Sequence, residues 1–310
     1  MDMHGRCSPS ILDPRVSADA GRLGEIFRAA EPFPHLVIDD FFEVEFARQL
    51  LAAFPSFEQG NFVGDDGQPG GKSTSDRIRR LGEAYCRLDD AIQSPEFLQT
   101  LSRLTGIDGL LYDPWYLGGG THENRFGMSL DPHVDFNFHP SERWHRRLNL
   151  IVYLNPEWDT AWGGNFELFR DPIAGPRPEV SIAPVFNRCA LFETSERSWH
   201  GFDQIRPSPG HESVTRRSIA LYFYTKDRPE DDIADRHTTY YVNRQLPERF
   251  APGHTLDVDD AAELHGLLSQ RDAHIRMLYA ENTALRKAQD SGVGGHLLYL
   301  AKRAYVRFRR

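Results

Sequence analysis

Apolar positions recur at helical spacing in two stretches of the first third of the chain, then give way to strand alternation. Glu43 to Phe54 reads as a helix with Val44, Phe46, Ala47, Leu50 and Leu51 on one stripe, and Pro55 stops it. A second helical region lies within 86–104, where Leu88, Ile92, Phe97, Leu98, Leu101 and Leu104 recur. The segment Pro32–Phe42 reads as a strand entering a turn, residues 1–30 carry little signal, and residues 56–75, rich in Gly, Asp and Ser, read as a loop. From Leu110 to Thr225 short β-branched and aromatic runs alternate with Gly, Pro, Asn and Asp: Leu110–Leu117, Leu148–Leu154, Phe166–Phe169, Val180–Ile182, Ala190–Phe192 and Ser218–Tyr224. That spacing predicts an antiparallel barrel or sandwich.

The polar, Pro-containing block 226–256 reads as a connector or lid. Residues 257–288 return to helical spacing. There Leu264, Leu268, Arg271, Ile275, Leu278, Asn282 and Leu285 form a heptad seam with two polar interruptions. Gly292, Gly294 and Gly295 break it, and the tail His296–Arg310 carries Lys302, Arg303, Arg307, Arg309 and Arg310 with no acid. The expected organisation is an N-terminal segment over 1–30, a main domain over 31–230, a connector over 231–256, a coiled-coil-type helix over 257–290 and a basic tail over 291–310. No internal repeat is visible.

Composition narrows the classes. The 310 residues are 40% hydrophobic and 12% aromatic, enough for a sizeable core. A formal net charge of -9 disfavours sequence-independent nucleic-acid binding, which needs clustered cations. Cys7, Cys86 and Cys189 are widely spaced and odd in number, which argues against a disulfide framework or a zinc site. The N-terminus shows no secretory pattern and no run reaches bilayer length, so the expected location is the cytoplasm.

Candidate chemistry concentrates in Asp131-Pro-His133-Val-Asp135-Phe-Asn137. Residues i and i+2 of a strand point the same way, so His133 and Asp135 can reach one metal. Imidazole plus carboxylate suits iron(II), and His200, in Ser-Trp-His-Gly-Phe, is the best candidate for a second imidazole. An isolated H-x-D is weak and is often a loop histidine beside a turn carboxylate. Three further features follow in order, however. Arg146-Arg-Leu-Asn-Leu-Ile-Val-Tyr-Leu-Asn155 alternates with Asn149, Ile151 and Tyr153 on one face; Trp162-Gly-Gly-Asn-Phe-Glu-Leu-Phe169 is a Gly-Gly turn into a strand; and Arg216 and Ser218 share a face of Arg216–Tyr224. A guanidinium with a nearby hydroxyl binds a carboxylate. His139 and His145 read as loop residues. The run Gly67–Ser73 lacks the first glycine of a phosphate loop, because Asp66 stands there, and reads as a substrate or lid loop.

The order H-x-D, Y-L-N, G-G, distal H, then R-x-S resembles the prolyl 4-hydroxylase-like family of iron(II)/2-oxoglutarate dioxygenases over about residues 110–225. The resemblance implies a mainly β fold with flanking helices, a double-stranded β-helix (jelly roll, cupin-like), here with a C-terminal helical extension. It implies His133, Asp135 and His200 as iron ligands, and Arg216 as the anchor of the distal 2-oxoglutarate carboxylate, with Ser218 beside it and Tyr153 assisting. His122, Asn124 and Asn149 are candidates for the other end of the cosubstrate. Cofactors implied are Fe(II), 2-oxoglutarate and O2, with ascorbate as an accessory. The interval of 16 from His200 to Arg216 (216 − 200) is longer than usual in the family and leaves Arg217 as the alternative anchor. Arg216 is preferred because it stays in phase with Ser218 and Tyr222, which turns Arg217 outward to solvent.

The activity expected is hydroxylation of a C–H bond of a prolyl, amino-acid or sugar-type substrate, small or peptidic, with release of succinate and CO2. The rival readings are a cupin-like metal enzyme that does not use 2-oxoglutarate, and a non-catalytic jelly-roll binding protein with a dimerising helix. Residues 257–290 offer either a homodimer seam or a helix packed on the catalytic domain, and residues 296–310 either a contact with an anionic membrane surface or a solvated basic end.

Overall fold

A computed structural model describes residues 10–63, 69–244, 246–247 and 249–291. They divide between two units, one within 1–62 and 70–245, the other within 63–69 and 246–310. In the first, helices α1 (Pro14–Ala18) and α2 (Ala20–Ala29) precede strand β1 (His35–Ile38) and helix α3 (Val44–Ala52). Then come β2 (Asn61–Val63), β3 (Pro69–Ser75), α4 (Glu83–Ile92) and α5 (Pro95–Thr105). The strands β4 (Leu111–Tyr112), β5 (Gly120–Asn124), β6 (Leu130–Val134), β7 (His145–Tyr153), β8 (Phe166–Phe169) and β9 (Val180–Ile182) follow. The series closes with β10 (Cys189–Glu193), β11 (Trp199–Phe202), β12 (Arg216–Thr225) and β13 (Tyr240–Tyr241).

An eight-stranded sheet runs β1-β10-β7-β12-β5-β3-β2, with β4 on β12, and a five-stranded sheet runs β13-β6-β11-β8-β9. Side-chain alternation assigns the two faces of the larger sheet. Leu148, Leu150 and Val152 of β7, Leu191 of β10 and Ile219, Leu221 and Phe223 of β12 join Phe46, Leu50, Tyr85, Leu88, Phe97 and Leu101 in one helix-side core. The intervening Tyr153, Ala190 and Phe192 face the smaller sheet and pack with Phe166, Leu168 and Ile182. Two antiparallel sheets enclosing a second core make the jelly roll, with the helices on one outer face.

Several expectations need correction. Residues 1–30 hold α1 and α2, whose Val16, Ala20 and Phe27 belong to the helix-side core. The helical region within 86–104 is two helices, because Ser94 accepts a hydrogen bond from Phe97 N and Pro95 opens a new first turn. Of Leu110–Leu117 only β4 is extended; the Asp113 carboxylate accepts from the amides of Trp115 and Leu117 and bends the chain. The loop expected over 56–75 contains β3, which pairs with β5 from Lys72↔Asn124 to Ser75↔Thr121, so Lys72 and Ser73 belong to the sheet, while Gly67 and Gln68 lie outside the described residues. The connector expected over 226–256 contributes β13, paired with β6 at Tyr241↔His133.

The second unit contains helix α6 (Val258–Ser291), with Leu268, Ile275, Leu278 and Leu285 between 48% and 65% exposed. Among the described residues no helix is long and apolar enough to cross a membrane. Cys7 and the tail 296–310 lie outside the described residues.

Candidate metal and cosubstrate site

Antiparallel pairing of β6 with β11 sets His133 directly opposite His200, so both side chains leave the same face. Their ring centroids are 4.2 Å apart. Each ring is fixed by the chain two residues behind it: His133 Nδ1 lies 2.9 Å from Asp131 O and His200 Nδ1 lies 2.8 Å from Ser198 O. A carbonyl can only accept, so the proton sits on Nδ1 and the Nε2 lone pair is free. Asp135, one residue past the end of β6, places Oδ1 3.8 Å from His133 Nε2 and Oδ2 3.5 Å from His200 Nε2. One ligand atom from each residue lies within 4.8 Å of the others.

Burial, then the neighbouring His200, push His133 down to about 3; burial also lowers His200, against the pull of Asp135. Burial would raise the Asp135 carboxyl, but Arg146, both imidazoles and Asn149 outweigh it and hold it below the usual carboxylate range. At neutral pH the cluster is therefore two neutral imidazoles and one carboxylate. Two nitrogens and one oxygen, all deprotonated toward a common point, fit iron(II).

On the other wall, Arg216 opens β12. Its Nε donates to Gly164 O at 2.7 Å and its Nη2 to the Tyr153 hydroxyl at 3.3 Å. Those bonds use two of the five N–H groups of a guanidinium. The rings of Phe202 and Tyr153 lie 4.3 Å and 4.9 Å from its centre. Phe202 stands two residues after His200 on the same face of β11, which links the cation to the metal-type cluster. Burial pushes the Tyr153 hydroxyl up to about 12, so it stays protonated and available as a hydrogen-bonding group. The Gly-Gly turn is needed here. Gly163 has φ +68, and a Cβ on it would stand 2.1 Å from Gln204 O. A buried guanidinium with a hydroxyl partner fits the far carboxylate of 2-oxoglutarate.

Ser218 is buried and lies opposite Tyr153 on one side and His122 on the other. Asn124 lies opposite Arg216. His122 Nε2 lies 3.1 Å from Gly118 O, and burial, with Lys72 adding to it, lowers its pKa well below the ordinary histidine value. Asn149 does not face this pocket with a free amide. Its Nδ2 donates to Asp135 Oδ2 at 2.7 Å and its Oδ1 accepts from Arg146, so the structure assigns it to the carboxylate. Arg217 keeps 39% of its side chain exposed, as an outward residue does, but it also lies 5.7 Å from the Phe54 ring centre and pairs with Glu123 at 3.4 Å. His139, expected in a loop, is fully buried.

Three site residues escaped the sequence reading. Arg146 lies out of phase with Asn149, but β7 bulges: Phe223 faces Leu148 and the next residue, Tyr224, faces Arg146, leaving Arg147 as the extra residue. The bulge turns Arg146 to the interior, and alternation alone cannot reveal it. Tyr222, opposite Asn149, packs its ring 3.7 Å from the Arg146 guanidinium centre. Tyr241 sets its ring 5.1 Å from that of His133; it lies in the β-branched and aromatic run Thr238-Thr-Tyr-Tyr-Val242, inside the block read as a connector.

Residues 120–224 match the model of the 2OG-Fe(II) oxygenase superfamily. The chain is 26% identical over 215 residues to prolyl 3,4-dihydroxylase OGFOD1 of Ostreococcus tauri, covering 64% of this chain and 39% of that protein. It is 25% identical over 211 residues to prolyl 3-hydroxylase OGFOD1 of Mus musculus, covering 63% and 33%. This chain thus spans well under half the length of the curated relatives it matches. A prolyl hydroxylase of Trichoplax adhaerens, solved with a hypoxia-inducible-factor degradation-domain peptide, aligns with a TM-score of 0.48 and 17% identity over 68% of this chain and 90% of that one. The similarity to the 2OG-Fe(II) oxygenase superfamily lies in residues 120–224, the stretch that carries the histidine–aspartate–histidine cluster and Arg216. The two curated relatives are both named as prolyl hydroxylases, in line with the resemblance carried by the motifs.

Proposed function

We propose that the protein is an iron(II)- and 2-oxoglutarate-dependent dioxygenase that hydroxylates a C–H bond and releases succinate and CO2. The observation that carries this reading is the pairing of two backbone-tethered imidazoles and a carboxylate with a buried Arg216–Tyr153 anchor. His133, Asp135 and His200 would hold the iron, and Arg216 with Tyr153 the distal carboxylate of 2-oxoglutarate. When bound, iron and 2-oxoglutarate with O2 supply the oxidising chemistry. The chain orients and shields. Phe192 and Phe166, with ring centroids 4.6 Å and 5.6 Å from that of His200, exclude water behind the site, and Tyr241 covers His133.

A prolyl substrate is favoured over a free amino acid or a sugar by the names of the curated relatives. The deciding measurement is aerobic succinate release with Fe(II) and 2-oxoglutarate over pools of proline-containing peptides, amino acids and aminated sugars. The expected result is release stimulated by the prolyl pool and removed by Asp135→Ala. Iron-loaded protein that consumes no 2-oxoglutarate with any pool would sink the reading.

We propose further that α6 forms a homodimer through its exposed heptad residues, that the basic tail 296–310 lies on anionic membrane surfaces, and that the protein works in the cytoplasm. Light scattering before and after deletion of 257–310, and flotation with anionic vesicles, test the first two.

A further inference from the structure

Arg146 is among the largest fully buried side chains, 1% exposed, and binding iron and cosubstrate assigns it no task. Its Nε and Nη2 donate to Asn149 Oδ1 at 3.1 Å and 2.8 Å, and Nη2 lies 3.2 Å from Asp135 Oδ2. Asn149 Nδ2 donates to that same oxygen at 2.7 Å. The rings of Phe136 and Tyr222 enclose the guanidinium at 4.4 Å and 3.7 Å. A cation buried this deeply is costly unless it is bonded and paired; here it bonds the Asn149 amide oxygen twice and pairs with the Asp135 carboxylate that the same amide also holds.

Two consequences follow. With Oδ2 bonded by the Asn149 amide and paired with the Arg146 guanidinium, the carboxylate plane is fixed and Oδ1, 3.8 Å from His133 Nε2, is the oxygen more open to a metal. A positive charge fixed beside the ligand also opposes a higher charge on the ion. We propose that Arg146 and Asn149 are positioning residues that confine Asp135 to a single metal-facing oxygen, and that Arg146 biases bound iron toward the ferrous state. This rests on the reading of His133, Asp135 and His200 as an iron site.

The test loads Fe(II) and Co(II) into the full chain as wild type, Arg146→Met, Arg146→Lys and Asn149→Ala. The readouts are the Fe(III)/Fe(II) potential, the visible spectrum of the cobalt form and the rate of metal loss to a chelator. Loss of the cation should lower the potential of Arg146→Met by 59 mV or more, a tenfold shift of the one-electron couple toward ferric iron. Arg146→Lys, which keeps the charge but not the fork, should restore most of that shift. Asn149→Ala should leave the potential near that of the wild type, alter the cobalt spectrum and speed metal loss about tenfold, as expected when a partner of a ligand is removed.

An unchanged potential in Arg146→Met together with an unchanged cobalt spectrum in Asn149→Ala overturns the proposal. If Arg146→Met does not fold, unchanged spectra in both Arg146→Lys and Asn149→Ala overturn it. A wild type that takes up neither metal removes the iron reading and this proposal together, whereas variants that match a metal-binding wild type remove this proposal alone.

Discussion

His133 and His139, six positions apart, meet buried carboxylates in opposite ways. At His133 and His200 the backbone carbonyls take Nδ1, so each ring aims an unprotonated Nε2 toward Asp135. At His139 the amides of Ser141 and Glu142 donate to Nδ1 at 3.3 Å and 3.1 Å, so the hydrogen sits on Nε2, which faces Asp113 Oδ1 at 3.6 Å. Asp113 is already bonded to the amides of Trp115 and Leu117, and the rings of Trp115, Tyr224 and Trp144 pack around His139 at 5.1, 5.3 and 5.6 Å. Both groups set a buried histidine beside an aspartate, Asp113 being the more deeply buried of the two carboxylates. Which ring nitrogen the backbone claims separates a metal donor from a packing strut.

The largest expected effect tests that distinction directly. His133→Ala, Asp135→Ala or His200→Ala should reduce iron uptake and succinate production to background. His139→Ala should keep wild-type iron stoichiometry per folded molecule and instead cost roughly 2–4 kcal/mol in urea unfolding, as for other emptied core sites. Iron loss in His139→Ala with unchanged stability would break the comparison.

Next, Arg216→Ala should raise the KM for 2-oxoglutarate about 100-fold, the scale of a lost charged hydrogen-bond pair. Arg217→Ala should leave that KM within about twofold and lower the melting temperature by a few degrees, since it touches only Phe54 and Glu123 among the contacts described. The opposite outcome would exchange the two arginines. Tyr153→Phe should raise the same KM about fivefold.

The smallest effect is in pH. His133 has an ordinary value of 6.5 and a folded value of about 3, set first by burial. Above pH 6.5 neither state is charged there and the stability contribution is complete. Between 6.5 and about 3 the unfolded chain takes up a proton that the folded chain refuses, so metal-free stability declines as pH falls. His133→Ala should make that decline shallower but leave a slope from His200, which burial also depresses. Identical slopes in paired urea titrations would count against the buried, neutral state of the ring.

Much of this was legible in the chain itself. Alternation placed Asn149 and Tyr153, and Arg216 with Ser218, on their shared faces, because β7 and β12 are regular there. The H-x-D spacing and the distal histidine predicted a cluster that the structure brings together. Alternation failed where the backbone departs from period two. The β7 bulge hid Arg146, and the pairing of the part-exposed Arg217 with the buried Glu123 is likewise invisible to alternation. Pairing supplied the rest. β3, rich in Gly and Ser, is extended where it pairs with β5, whereas the strand signal of β13 in Thr238–Val242 was present but overlooked inside a polar block.

The ladder that places His133 opposite His200 joins strands whose partner residues are 67 positions apart (200 − 133). An ion gripped by both rings would rivet the smaller sheet across that junction. Peeling β11 from β6 would then require the ion to leave, so amides on these strands should exchange hydrogen far more slowly in loaded protein than in metal-free protein.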